Sequence, residues 1–217
     1  MKKKESTLMF DIYDEATDYK KAERFEFSMK YWQSYNHALD MNYMNSGAYA
    51  FHPMEGQFHP FPYGDIKEVG VTKGKNAQEM DITFGKYLYN EKEESMKSTV
   101  HISIDKDLPL IKIDVDLDSL PLQEKFNGYE VVPNFHVGNF DNAKTFFTDS
   151  NSLEMQKRVQ DYRPTWNLGT TQRVTDNYYP INSAISITDI NSNRRMTVMN
   201  DRSQGGTSIA PGTIELM

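Results

Sequence analysis

A two-residue alternation of apolar and polar side chains constrains the fold of this chain more than any other sequence feature. The clearest stretch lies between residues 99 and 122, where apolar residues stand at every second position: Ile102, Ile104, Ile111, Ile113, Val115 and Leu117. Successive side chains of a β-strand point to opposite faces, so this pattern predicts half-buried strands. The intervening Asp107-Leu108-Pro109 segment is typical of a hairpin loop.

Shorter segments of the same kind recur along the chain, at residues 25–29, 131–135, 146–147, 185–188 and 196–198. Turn signals such as Asn45-Ser46-Gly47 separate them, and no long segment has the period of an amphipathic helix. Residues 52–64 hold three prolines and two glycines and are predicted to be loop. We therefore expect an all-β protein, most simply an antiparallel β-sandwich.

Composition excludes several classes of function. The net charge is −7, and no basic patch with interleaved aromatic residues points to nucleic acid. The chain has no cysteine, which excludes disulfides and thiolate chemistry. No apolar run approaches the ~18 residues that a membrane-spanning helix needs. Residues 1–24 are strongly charged and are predicted to be a linker or a truncated edge.

Three polar clusters invite a chemical interpretation, and a structural one is favoured for each. The acidic run Asp114, Asp116 and Asp118 lacks the glycine and glutamate of a calcium loop, and the alternation makes it one solvated strand face. His52 and His59 lack further ligands at metal-binding spacing and are expected at the surface. The Gly205-Gly206 pair could present its backbone to a ligand, but a tight turn is favoured.

Several longer blocks carry a resemblance. Residues 147–158 read FTDSNSLEMQKR, residues 162–166 YRPTW, residues 177–182 NYYPIN and residues 201–206 DRSQGG, followed by ELM at 215–217. Upstream, residues 46–53 read SGAYAFHP. In this order the blocks resemble those of glycoside hydrolase family 38 α-mannosidases, and the resemblance extends from about Phe25 to Met217. The DRSQGG block resembles the lysosomal-type branch of that family.

The resemblance implies that residues 25–217 form an incomplete β-sandwich domain, supersandwich-like and galactose-mutarotase-like, from the C-terminal half of such an enzyme. In the family, an α/β domain carries the zinc ion and the nucleophilic aspartate, and a helical bundle precedes the β domains. The enzymes release terminal mannose with retention, through a glycosyl-enzyme intermediate. This chain shows no zinc or nucleophile block, so we expect no catalytic residue, metal or cofactor in it and no activity alone.

The resemblance also implies where this chain would touch substrate. The tyrosine of the SGAY block lies against the mannose pocket in the family, which gives that role to Tyr49, although a cross-strand core tyrosine is the structural alternative. Asp201 and Arg202 are weaker candidates that would brace a loop at a domain seam. One departure concerns Ser152, which stands where the family usually has a glycine with positive φ; a serine there should cost about 1 kcal/mol.

The expected function is thus the β-domain part of an α-mannosidase that acts on oligomannose glycans. Its expected partners are mannose-containing oligosaccharides and the α/β domain and helical bundle of the same enzyme, with neither nucleic acid nor membrane. A lysosomal, vacuolar or secreted location is implied. The alternative is a non-catalytic β-sandwich module that binds carbohydrate or serves as structure.

Overall fold

The computed structural model describes residues 7–13, 22–34, 46, 51–60, 66–85, 87–89, 92–94, 98–108, 110–118, 128–167, 169 and 171–217. Within them the chain is built from antiparallel strands, which confirms the all-β prediction. The strands are β1 Thr7–Tyr13, β2 Ala22–Ser34, β3 Pro53–Pro60, β4 Ile66–Lys73, β5 Ala77–Phe84, β6 Tyr87–Tyr89, β7 Lys92–Glu94, β8 Ser98–Asp105, β9 Ile111–Leu117, β10 Tyr129–Val137, β11 Thr145–Ser150, β12 Glu154–Val159, β13 Tyr179–Ile181, β14 Ala184–Thr188, β15 Arg195–Met199, β16 Gln204–Thr207 and β17 Thr213–Leu216. A short 3₁₀ turn spans Thr175–Asn177.

The chain forms two compact units. The first combines Met1–Phe61 with Phe126–Met217, and the second is the continuous segment Pro62–Lys125 between them. The second unit is thus an insertion in the sequence of the first. The predicted single domain over residues 25–217 stays a prediction.

A seven-stranded antiparallel sheet dominates the first unit, in the order β1-β2-β10-β17-β16-β13, with β3 also paired to β2. Its central contact joins β2 to β10, with Phe27 opposite Phe135. On the other side of β10, Asn134 lies opposite Glu215 of β17. The strands at the centre of this sheet are therefore distant from one another in the sequence.

A second sheet, in the order β12-β11-β14-β15, belongs to the same unit and shares one core with the large sheet. The buried residues of that core are apolar and come from both sheets and the segments beside them: Phe140, Phe146, Ile181, Ile185, Ile187, Ile214 and Leu216. Two faces packed over one apolar layer are consistent with the expected β-sandwich. The large sheet thus has an inner face toward this core and an outer face away from it.

The second unit contains a four-stranded sheet in the order β4-β5-β8-β9, together with a β6-β7 ribbon. β8 and β9 pair from Ser98–Leu117 to Ile104–Ile111, so the predicted hairpin is confirmed. Asp114 and Asp116 are exposed on β9, and the apolar residues that alternate with them, Ile113, Val115 and Leu117, are partly buried. This confirms the solvated acidic face.

The predicted loop at residues 52–64 is wrong over most of its length, because Pro53–Pro60 is strand β3. Among the strands that the structure describes, β3 pairs with β2 alone, and that pairing shifts register between Trp32 and Ser34. In a strand that is paired on one side, half of the backbone N–H groups take no part in the sheet. Proline, which has no N–H, is therefore tolerated in such a strand, above all at its ends. Pro53 and Pro60 are the two end residues of β3.

The tight turn predicted for Gly205-Gly206 is also wrong, since both residues lie in β16 inside the large sheet. A Cβ atom on Gly206 would come within 3.1 Å of the Ile181 side chain and 3.2 Å of that of Ile185. Gly206 is therefore closely packed within the sheet, and a side chain there would require the ends of Ile181 and Ile185 to shift. His52, expected at the surface, is buried, with 9% of its surface exposed.

Strand β1 lies within the charged segment 1–24 and pairs with the first half of β2. Leu8, Phe10 and Ile12 stand at every second position of β1, but apolar Met9 between the first two obscures this alternation in the sequence. The Phe10 and Phe25 rings lie 5.5 Å apart, so β1 is joined to the sheet by side chains as well as by its backbone.

Candidate functional site

A buried polar cluster on the outer face of the large sheet is the most distinctive chemical feature of the described residues. Cross-strand register places its members: Trp32 pairs with Glu130, and Asn134 pairs with Glu215. Residues next to them in sequence, such as Ile214 and Leu216, face the sandwich core instead. Because successive side chains of a strand lie on opposite faces, the strands that place apolar residues in the core place these polar side chains on the outer face. Tyr178, just before β13, completes the cluster.

Glu215 is the centre of this cluster, with 5% of its surface exposed. The indole Nε1–H of Trp32 donates to Glu215 Oε1 at 2.7 Å, and the Tyr178 hydroxyl donates to the same oxygen. Asn134 Nδ2 donates to Oε2 at 3.3 Å. Buried polar groups are stable only when their hydrogen bonds are satisfied, and here both carboxylate oxygens have donors.

Burial raises the pKa of Glu215, and the donors Trp32 and Tyr178, together with the positive charge of Lys30, oppose that rise. Burial raises the pKa of Tyr178 well above its usual range, and the nearby Glu215 carboxylate raises it further. Burial raises the pKa of Glu130 as well. The cluster is thus a place where proton binding and packing are coupled.

This arrangement is suited to positioning rather than to acid–base chemistry on a substrate. A glycosidase carboxylate must present an oxygen to the glycosidic bond or to the anomeric carbon. Both oxygens of Glu215 are instead engaged by side chains of the same sheet and of Tyr178. The cluster therefore acts as an anchor for the segments that pack against it.

The described ends of the segment at residues 46–53 are attached to this anchor. The Phe51 ring meets the Tyr178 ring edge to face, with centroids 5.2 Å apart. Thr175 Oγ1 donates to the Phe51 carbonyl at 3.0 Å, and the His52 N–H donates to Ser46 Oγ at 3.0 Å. Phe51 is therefore held by the 3₁₀ turn and by Tyr178. Tyr49, the predicted substrate contact, lies outside the residues that the structure describes.

Asp201 and Arg202, the other predicted candidates, lie in the turn between β15 and β16. They form an ion pair with each other at 2.6 Å, and their side chains are 72% and 76% exposed respectively. The turn itself is held by Asn200, which donates to the Arg202 carbonyl, and by Ser203, which donates to Asn182 Oδ1 at 2.8 Å. Neither Asp201 nor Arg202 belongs to the group that contacts Glu215, and their bracing role stays a prediction.

The sequence did not single out Glu215, Tyr178, Trp32 or Asn134 as a site. A signal was present at Asn134 and Glu215, because each is a polar residue that stands between two apolar neighbours in its strand. To see that these residues meet, one must know how β2 pairs with β10 and how β10 pairs with β17. These pairings join residues about a hundred positions apart in the chain. Sequence patterns do not determine such register.

Across the part of the chain that the structure describes, no group of three or more His, Asp or Glu side chains could hold a metal ion. Those residues therefore do not offer the donor set that a zinc ion needs. Among the residues that the structure describes, no helix has the length and apolar character that a membrane span requires.

Comparison with known proteins gives one family. The model of the glycosyl hydrolases family 38 C-terminal domain matches residues 3–217. Over 172 residues, or 79% of the chain, it is 36% identical to the lysosomal alpha-mannosidase of Mus musculus and 34% identical to that of Homo sapiens. It is 33% identical to the alpha-mannosidase of Canavalia ensiformis over 81% of the chain. The chain spans about 15–16% of the length of these relatives.

Proposed function

The chain belongs to glycosyl hydrolase family 38, and from that premise we propose that it is the C-terminal β-domain portion of an α-mannosidase. The whole enzyme would remove terminal α-mannose residues from oligomannose glycans with retention of configuration. The family match over residues 3–217 is the observation that carries the proposal. Mannose-containing oligosaccharides are the proposed ligands. The lysosome is the proposed compartment, since the mammalian relatives are lysosomal alpha-mannosidases.

We assign bond cleavage to the α/β domain of that enzyme and a scaffold role to the residues of this chain. The hydrogen bonds of Glu215 support this division, because its carboxylate is committed to Trp32, Asn134 and Tyr178. The chain alone is therefore proposed to be inactive. Hydrolysis of 4-nitrophenyl α-mannoside by the purified chain would contradict this assignment.

Within the scaffold, Tyr49 is proposed to contact the terminal mannose. The support is the sequence block around it and the anchoring of its neighbours Phe51 and His52 by side chains of the first unit.

A chimera tests both parts of the proposal. The homologous segment of the mouse lysosomal enzyme is replaced by this chain, and hydrolysis of 4-nitrophenyl α-mannoside is measured. We expect an active chimera in which Tyr49→Phe lowers kcat/KM by roughly tenfold without changing the melting temperature, as for loss of one hydroxyl contact in the transition state.

The matched control is Met199→Leu, an exposed residue on β15 with 66% of its surface accessible, for which no change in kcat/KM is expected. A folded chimera without activity would contradict the family-level proposal. A Tyr49→Phe effect confined to the melting temperature would assign Tyr49 to the core instead.

A further inference from the structure

Two exposed aromatic rings occupy one turn of the first unit, just after β12. Tyr162 has 56% of its surface accessible and Trp166 has 59%. Single exposed apolar residues are ordinary, but here two large exposed aromatic residues stand four positions apart in the sequence, with Arg163 between them. The other tryptophan of the chain, Trp32, is buried with 7% exposed, so the exposure of Trp166 is a local property of this turn.

The backbone of this turn is firmly held although its rings are not buried. The Asp161 N–H donates to Asn177 Oδ1 at 2.8 Å, and Asn177 Nδ2 returns a bond to Asp161 Oδ1 at 2.7 Å. Asp161 has a φ of 58°, a conformation that residues other than glycine rarely adopt. Asn177 is fully buried, which fixes the base of the turn.

Arg163 ties the same turn to β13. Its guanidinium stacks over the Tyr179 ring, 4.8 Å from the centroid, and donates to the carbonyls of Tyr162 and Asp176. Asp161 forms an ion pair with Arg173 at 3.8 Å. Pro164 restricts the backbone further. The backbone on either side of Tyr162 is thus held in place, and Trp166 follows it four residues later.

Rigid display of Tyr and Trp favours ligand binding, because these side chains offer a large amphipathic surface and have few torsions to order. Charged groups border the turn, including the 64%-exposed Arg173 and the partly exposed Asp161. A flat apolar ring bordered by carboxylate and guanidinium groups matches the chemistry of a pyranose, whose C–H face is apolar and whose edge carries hydroxyls. Two rings offer far less area than the roughly 800 Å² per partner of a stable protein interface.

We propose that Tyr162 and Trp166 form a glycan-stacking platform that binds an α-mannose oligosaccharide. The choice of mannose rests on the proposed function, while the platform itself rests on the exposure and rigidity of the turn. In this arrangement a sugar ring stacks on Trp166, and Tyr162 supports the neighbouring ring. The Asp161 carboxylate accepts hydrogen bonds from the sugar hydroxyls, and the Arg173 guanidinium donates hydrogen bonds to them. A platform of this size binds weakly, with a dissociation constant of about 1 mM or somewhat below.

Iodide quenching of tryptophan fluorescence in the purified 217-residue chain is a direct test. Iodide reaches exposed Trp166 and not buried Trp32, so the quenched fraction reports on the proposed site alone. We expect α-mannotriose to protect Trp166 from iodide and cellotriose not to do so. Calorimetric titration with α-mannotriose should give the same midpoint as the protection curve.

Three variants sharpen the test. Trp166→Ala and Tyr162→Ala should each weaken α-mannotriose binding at least tenfold, whereas Tyr162→Phe, which keeps the ring, should stay within twofold of the parent. Leu153→Ala is the matched control, since Leu153 is an 88%-exposed apolar residue in the preceding turn. Circular dichroism and melting temperature confirm that each variant is folded.

Equal binding by the Trp166→Ala variant, or no protection by 20 mM α-mannotriose, would overturn the platform. Protection by cellotriose as strong as by α-mannotriose would overturn the assignment of the sugar. Each readout is binding by the isolated chain, so a negative result leaves the mannosidase proposal standing. Failure of the chimera to hydrolyse a mannoside likewise leaves the stacking test unaffected.

Discussion

Ser152 shows how one residue can conflict with the turn it occupies. It lies with Asn151 at the centre of the β11–β12 turn, where φ is 49° at Asn151 and 59° at Ser152. The Leu153 N–H donates to the Ser150 carbonyl at 2.9 Å and closes the turn. Positive φ at both central positions is the pattern of a type I′ hairpin, which favours Asn-Gly. The sequence anticipated this strain, and the backbone angle at Ser152 confirms it.

Ser152→Gly should therefore stabilise the first unit. Glycine relieves a left-handed cost of about 1 kcal/mol and loses part of that gain through the greater entropy of the unfolded chain, so a net gain of roughly 0.5 kcal/mol is expected. Urea denaturation followed by circular dichroism measures it. The same substitution at Ser150, an extended β11 residue, is the control and should destabilise. Equal effects at the two positions would contradict the conformational explanation.

At the scale of elements, the outer face of the large sheet joins strands through Glu215. Its pKa is raised above the ordinary 4.5 by burial. The folded state then binds the proton more tightly than the unfolded state does. The stabilisation due to this group is fully present below about pH 4.5 and is lost as the pH rises through the folded pKa. Burial raises the pKa of Glu130 in the same direction, so Glu130 adds to this slope.

Glu215→Gln should flatten this pH dependence without unfolding the protein. The Gln oxygen can accept from Trp32 and Tyr178, and the Asn134 amide can turn its oxygen toward the Gln nitrogen, so every buried group keeps a partner. Between pH 4.5 and 7.5, the free energy of unfolding should fall less in Glu215→Gln than in the parent chain. Glu79→Gln, on the exposed face of β5, is the control. Parallel pH curves for the Glu215 variant and the parent would contradict the proposed coupling.

The elements also show what sequence reasoning can and cannot deliver. The β8–β9 hairpin was predictable because its partners are adjacent in sequence and their alternation is unbroken. β3 was missed because proline content suggests loop, and only its place at one side of β2 makes that content tolerable. Gly206 was misread because the side chains that exclude a Cβ, Ile181 and Ile185, come from other strands. The cluster around Glu215 was missed for the same reason.

At the scale of the whole molecule, the two compact units differ in how their residues are distributed along the sequence. The first is assembled from two separate stretches of chain, while the second is one continuous stretch, Pro62–Lys125. Within the first unit, β3 and β10 pair with opposite sides of β2. Strands that flank a common neighbour lie about 10 Å apart, a distance that a short flexible linker spans.

Replacing Pro62–Lys125 with a Gly-Ser linker of about ten residues should therefore leave a first unit that folds cooperatively. Its sandwich core draws only on residues outside the replaced segment, such as Phe146, Ile185 and Ile214. A single urea transition and dispersed amide resonances are the expected results. A matched replacement of residues 185–199, which removes β14 and β15 from the core, should abolish the transition. Loss of cooperative unfolding in the first variant would show that the units depend on each other.

The position of β17 governs the order in which this protein can be made. β17 lies inside the large sheet, between β10 and β16, yet it is formed by Thr213–Leu216 near the end of the sequence. During synthesis β2 and β10 leave the ribosome long before β16 and β17, which follow one another closely at Gln204–Thr207 and Thr213–Leu216. Until then β10 has an open edge, which can recruit the wrong strand. The local pairings of β4, β5, β8 and β9 need no such wait, so we expect the inserted unit to fold before β17 pairs with β10.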